Sequence, residues 1–268
     1  MSHFACIGLS IRDGSELEAL LQRLHDQMVL EVQQGPVQHF LWTDASGASL
    51  GVHLKRGKVV CLTPFFAPGD GLCRWTVSSS APHDDDECAH CGGAELNIFH
   101  DGEMVTRATV QWLHYQPYRS WLRSSRSYEL EVVAFGRQIR VFPDEAAFAE
   151  DKDTDAGKLK LAPDVFLPIG MFGPAATIGH AATAMMVGKV IRAEALENTR
   201  GGRFWRVRLE TYPGCADVVL AAETLGEAPV PGAIARVDEA WVVGRPVEPV
   251  PKPSWIRQVW DKLGAGNG

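Results

Sequence analysis

Two cysteines spaced Cys88-x-x-Cys91, with His83 and His90 beside them, Asp84-Asp85-Asp86-Glu87 before them and Gly92-Gly93 after, form the densest group of metal-competent side chains in this sequence. The C-x-x-C spacing lets two thiolates share one ion, and following glycines let backbone N–H groups turn toward the sulfurs. This is half of a zinc knuckle. A tetrahedral zinc ion needs two further ligands, and no second C-x-x-C exists. Cys73 and His83 complete the set best, so Cys73, His83, Cys88 and Cys91 are the candidate zinc ligands. A site closed by four protein ligands would be structural, pinning a loop with little else to hold it. The competing use of C-x-x-C, a redox dithiol, needs the first cysteine at a helix N-terminus, and the four acids before Cys88 would disfavour a thiolate there.

A second constellation sets arginines among aromatic side chains. Arg119, Arg123 and Arg126 follow Trp112, Tyr115 and Tyr118 and surround Trp121. The simplest use of these cations is internal pairing with the acidic loop at Asp84–Glu87. Farther on, Trp205 and Trp241 with Arg200, Arg203, Arg206 and Arg208 could stack bases and meet phosphates. At the C-terminus Trp255 and Trp260 share an apolar face with Ile256, Val259 and Leu263 and call for a greasy surface, in cis or on a partner. The formal net charge of −7 argues against a general nucleic-acid or anionic-membrane binder.

The chain has 268 residues, 46% hydrophobic and 22% charged, which allows about two packed domains. No uncharged apolar run reaches the ~18 residues of a membrane span, and the first residues lack a signal-peptide pattern. A cytoplasmic location with reduced thiols is expected. Phe4–Ile11 reads as a buried strand. Residues 15–29 carry apolar side chains at helical spacing, with Ser15 and Glu18 at capping-box separation. Val37–Thr43, Ala48–Lys55 and Lys58–Phe66 read as strands joined by Asp44–Gly47 and Arg56-Gly57 turns. Leu72–Ser78 reads as a further strand, Val110–Tyr115 and Tyr118–Arg126 as helices, and Tyr128–Phe135 with Gln138–Phe142 as a hairpin.

The β-α-β-β-β order of the first 66 residues is similar to the repeating module of the vicinal oxygen chelate family. That resemblance implies a metal-dependent enzyme with His and Glu ligands on strands. Here His39 and His53 are the strand histidines, and no strand glutamate is expected beside them, which favours ordinary sheet roles for both.

The expected architecture is an α+β domain over 1–150 with a mixed or antiparallel sheet and the C-x-x-C loop. A linker over 151–175, an all-β OB-like small barrel over 176–246, and a Pro-rich spacer with a C-terminal amphipathic helix over 247–268 follow. The barrel reading rests on about five short strands with Gly188 inside the first. No nucleophile elbow, P-loop or dinucleotide fingerprint is present. The reading that follows is a non-catalytic binding or scaffold protein with a structural zinc loop and a protein partner or self-association. The alternatives are a metal-dependent enzyme of vicinal-oxygen-chelate-like topology and a single-stranded nucleic-acid binder using the barrel.

Overall fold

The apolar opening of the chain finds no strand to pair with. A computed structural model describes residues 3–119, 122, 126–151, 155–156, 159–172 and 177–248, and in it His3–Ile7 is a 3-10 turn. Gly8 then takes φ +70°, and the Asn198 amide donates to the Ile7 and Gly8 carbonyls at 2.9 and 3.0 Å. Those bonds replace the ladder partners the backbone would otherwise need. Cys6, Ile7 and Leu9 are buried as a plug rather than as a strand face. The strand expected over Phe4–Ile11 is thus corrected, and with it the β-α-β-β-β order.

Helix α1 (Gly14–Leu24) is capped by Asp13, whose carboxylate accepts from the Ser15 and Glu16 amides, so the cap is not the Ser15–Glu18 box. It is shorter than the periodicity predicts. Met28 is extended, and the β-branched Val29 and Val32 enter strand β1 (Val29–Gln34). β2 (Val37–Thr43), β3 (Ala48–Lys55) and β4 (Lys58–Phe66) follow at the expected boundaries, and the four strands form an antiparallel meander.

β5 (Cys73–Asp84), β6 (Gly92–His100) and β7 (Glu103–Trp112) form a second meander. Val110–Trp112 is therefore strand, where helix was expected. Ala94 and Gly93 on β6 take Val110 and Gln111 as ladder partners, and that pairing overrides the local apolar spacing. A short α2 (Tyr115–Tyr118) leads to β8 (Ser127–Gly136), β9 (Arg140–Phe142) and α3 (Glu145–Glu150). The small pieces β10 (Asp155–Ala156), β11 (Leu159–Lys160), β12 (Phe166–Leu167) and α4 (Ile178–Ala181) come next. The long strands β13 (Thr183–Glu197), β14 (Arg203–Thr211), β15 (Gly214–Ala221) and β16 (Ile234–Pro246) finish the described chain. β8 and β9 do not form a hairpin; each pairs with β16 instead. The residues of the expected C-terminal helix, Trp255 and Trp260 among them, lie outside the described residues.

The molecule is mostly β, with a closed barrel beside the four-stranded sheet. Walked round its perimeter, β13, β14, β15, β8, β5, β6, β7 and β16 form a ring that closes through β16–β13. An antiparallel β8–β16 ladder crosses that ring. β15 lies parallel to β8, so Val133 of β8 has Asp217 of β15 on one side and Val243 of β16 on the other. The barrel is filled by Trp75, Leu96, Leu130, Met186, Val218 and Val242. A second apolar cluster joins the four-stranded sheet to the barrel, with Leu24, Trp42, Leu50 and Phe66 from one side meeting Phe135 and Phe204 from the other. Burial is worth about 1.5–3 kcal/mol for each such side chain, against about 0–1 for an exposed ion pair, so this interface holds the two parts together.

Gly93 shows why two glycines follow the C-x-x-C pair. It opens β6 so close to β7 that an added Cβ would run into the Val110 carbonyl oxygen. The glycines serve backbone approach here, not N–H bonds to sulfur. Gly93→Ala is expected to cost about 1–3 kcal/mol, the usual range for overpacking. An unchanged urea midpoint would refute that close approach.

Candidate metal centre

The hairpin between β2 and β3 fixes which side chains meet. Its Asp44–Gly47 turn pairs Thr43 with Ser49, and counting back by twos places His39 opposite His53. Directly opposed residues share a sheet face. The two imidazoles stand 4.4 Å apart, centroid to centroid, and are 0% and 1% exposed. A third, His114, comes from the bend between β7 and α2, with its ring 5.5 Å from that of His39 and 5.2 Å from that of His53. One nitrogen from each ring lies within 4.8 Å of the others.

The hydrogen bonds orient two of these rings and leave the third without partners. His114 Nε2 is 2.6 Å from Glu31 Oε2, so the carboxylate fixes an Nε2–H and leaves Nδ1 as a lone pair. His53 Nε2 is 3.1 Å from the Leu113 carbonyl and 3.0 Å from His114 Nδ1, and can donate to either. His53 Nδ1 and both nitrogens of His39 are buried with no hydrogen-bond partner among the described residues. An unsatisfied buried polar group costs about 1–3 kcal/mol, so each of these atoms favours an occupant. Burial, followed by the nearby His114, lowers the pKa of His39 to about 4 and of His53 to about 2. Both rings are therefore neutral at pH 7, the form that ligates metal. Burial raises Glu31, but the His114 bond and the Arg245 charge outweigh it and hold the carboxyl below its ordinary range.

A cleft of about 270 Å³ reaches this cluster where Glu31, His114, Tyr118, Glu131 and Arg245 line it. A larger cleft of about 630 Å³ lies elsewhere, between His3, Arg137, His180, Glu239 and Trp241. None of its side chains belongs to a ligand cluster among the described residues.

The expected zinc ligands separate into places that cannot share an ion. Cys73 opens β5 and contacts Cys215, while His83 stands at the other end of the same strand. Ten residues of extended chain span about 33 Å. Cys88 and Cys91 do stay together, joined as a disulfide in the turn between β5 and β6, and their third neighbour is Cys61 on β4. Asp85 builds that turn: one carboxylate oxygen accepts from the Glu87 and Cys88 amides and the other from Ile178.

Arg119 meets Asp84 through two bonds of 2.8 and 2.5 Å, the internal pairing expected of the acidic loop, whereas Arg126 pairs with Glu248. Arg123 lies outside the described residues. Trp241 donates its indole N–H to Gln111 inside the fold, and Trp205 donates to the Ala222 carbonyl. Arg206 is 3% exposed and bound to Asp217, Asp70 and Glu194, and Arg208 is bound to Asp217. Arg203 pairs with Glu197, so three of the four cations expected to meet phosphates, Arg203, Arg206 and Arg208, already carry carboxylate partners.

His114 and Glu31 were the side chains missed. Glu31 falls between the helix expected over 15–29 and the strand expected from Val37, in a stretch given no element, and His114 lies about 60 residues along the chain from His53. The His39–His53 pairing was available from the turn alone. No protein-family model matches this chain, and no curated protein is significantly similar to it.

Proposed function

We propose that the protein binds one transition-metal ion, zinc by preference, through His39, His53 and His114, with Glu31 orienting His114 behind the ion. The observation that carries this reading is the His39 side chain: fully buried and, among the described residues, without a hydrogen-bond partner at either nitrogen. Imidazole suits zinc, copper, iron and nickel. Zinc also tolerates the irregular geometry that a strand pair and a bend can offer. A tetrahedral zinc ion would draw its nitrogens to roughly 3.3 Å apart from Zn–N bonds of about 2.0–2.1 Å, a modest closure from their present separation.

Three protein ligands would leave a tetrahedral ion one further position, which a water could fill, so on this reading the site joins elements without being closed by protein alone. It would fasten the four-stranded sheet, through β2 and β3, to the β7–α2 bend of the barrel. The cleft is lined by His114 and Glu31 and by neither of the other two histidines, which favours a holding role for the ion. An OB-like description draws support from the closed path β13–β14–β15–β8–β16, with β8 supplied by residues 127–136 and not from within 176–246. Its internally paired arginines favour a scaffold over a nucleic-acid groove.

The test is zinc content by plasma mass spectrometry after dialysis of the full chain with the Cys88–Cys91 disulfide closed. One zinc per chain is expected, with little or none in His39→Gln and His114→Gln. Equal zinc in wild type and both variants, or none in the wild type, would remove the reading.

A further inference from the structure

Cys61, Cys88 and Cys91 are a second cluster of ligand atoms, with all three sulfurs within 4.8 Å of one another. Two separate segments bring them together. Cys61 is buried and free on β4, directly opposite His53 in the β3–β4 ladder. Cys88 and Cys91 sit on a tight turn closed by a Cys91 N–H to Cys88 carbonyl bond of 3.0 Å, and the Cys88 sulfur lies 3.7 Å from the Val60 carbonyl. Asp85 holds the Cys88 amide at 2.7 Å, so the turn is anchored whether or not the sulfurs are joined. Two of the three sulfurs are bonded to each other.

A sulfur in a disulfide carries no thiolate charge, and it is the thiolate that ligates metal. The turn can therefore hold a disulfide or share an ion with Cys61, but not both. We propose that Cys61, Cys88 and Cys91 form a three-thiolate site for a soft d10 cation, open when the Cys88–Cys91 pair is reduced and closed when it is oxidised. The cation class follows from the donors: three sulfurs with no carboxylate among them select zinc, cadmium or copper(I) over hard ions. With hydrogen peroxide as oxidant, the Cys88 and Cys91 thiolates give up two electrons and an S–S bond forms. The peroxide O–O bond breaks, and its oxygens leave as two waters after taking two protons from solvent. The cation, left with Cys61 alone, is released.

This site goes beyond the three-histidine reading and can fail separately from it. The probe is cadmium added to the full-length protein, reduced with a phosphine under nitrogen. Sulfur-to-cadmium charge-transfer absorption in the near ultraviolet is read, because imidazole ligands give none. One equivalent of cadmium is expected to produce the band, one equivalent of peroxide to abolish it, and renewed reduction to restore it. Cys88→Ser should lose most of the band. Cys61→Ser should keep the disulfide yet bind cadmium roughly tenfold or more weakly, since losing a ligand costs at least what losing an outer-shell partner does. His53→Gln should keep the band. No band in the reduced wild type, a band that survives disulfide closure, or unchanged affinity in Cys61→Ser would each overturn the proposal.

Discussion

Asp217→Ala is expected to cost about 3–5 kcal/mol, the range found when one partner of a buried ion pair is removed. Asp217 sits on β15 with its side chain fully buried and holds two guanidinium groups at once. One carboxylate oxygen accepts from Arg206 Nε at 2.9 Å and Arg208 Nε at 3.0 Å; the other accepts from Arg208 at 2.8 Å and Arg206 at 3.3 Å. Removing it leaves Arg206, only 3% exposed, with Asp70 and Glu194 on one of its nitrogens and nothing in place of the buried carboxylate that held the others. Asp70 touches the same guanidinium, but its side chain is 41% exposed, so Asp70→Ala should cost no more than about 1 kcal/mol. Urea midpoints of the two variants, measured side by side, decide the matter. Equal losses would mean that burial does not set the worth of this network. Arg206 also lies over the Phe66 ring, 5.3 Å from its centroid, so part of the loss should appear as loosening of the four-stranded sheet from the barrel.

The second large effect is a loss of stability in mild acid. In the unfolded chain His39 takes up a proton near its ordinary value of 6.5, but in the fold it does so only near 4. Between those limits the unfolded state binds more protons, so stability falls as pH falls. A shift of this size corresponds to about 3 kcal/mol lost between pH 6.5 and pH 4. His53, lowered further by burial and by the neighbouring imidazoles, acts in the same direction. The carboxylates facing the cluster act lower. Glu31 is held below its ordinary value of 4.5, so its contribution is lost only beneath that pH. The window from 6.5 to 4.5 therefore separates the histidines from Glu31, with His3, also lowered by burial to about 4, adding to the same slope from outside the cluster. Chelator-treated protein should show a urea midpoint that drops steadily across this window, and His39→Leu should flatten the slope. A flat profile in the wild type would contradict the buried, neutral cluster.

Parts of this arrangement were legible in the chain and parts were not, for definite reasons. β2, β3 and β4 fell where alternation and turn residues put them, because each strand's partners are its sequence neighbours and the Asp44–Gly47 and Arg56-Gly57 turns fix the register. Phe4–Ile11 and Val110–Trp112 were misread because partners distant in sequence decided their conformation: Asn198 for the first and β6 for the second. The C-x-x-C pair was visible as a ligand motif, yet its third neighbour was not. Cys61 comes close only because β4 passes the β5–β6 turn, and composition around Cys61 gives no hint of that. His114 and Glu31 share this difficulty, since each lies on a different element from His39 and His53. The arginines could be counted, but only the tertiary fold reveals which carboxylates already hold them.

The ladder shared by β8 and β16 has a consequence for how the chain is made. During vectorial synthesis β1 to β8 leave the ribosome long before residues 234–246 do, and β13, β14 and β15 shortly before. Until β16 arrives, β8 has one open edge, β7 and β13 each lack a neighbour, and neither side of the ring can close. Pairings this distant in sequence are slow to form, and exposed strand edges invite association with other chains. The nascent protein is therefore most vulnerable to aggregation just before β16 emerges, and the ring's two halves close together, in a single late step.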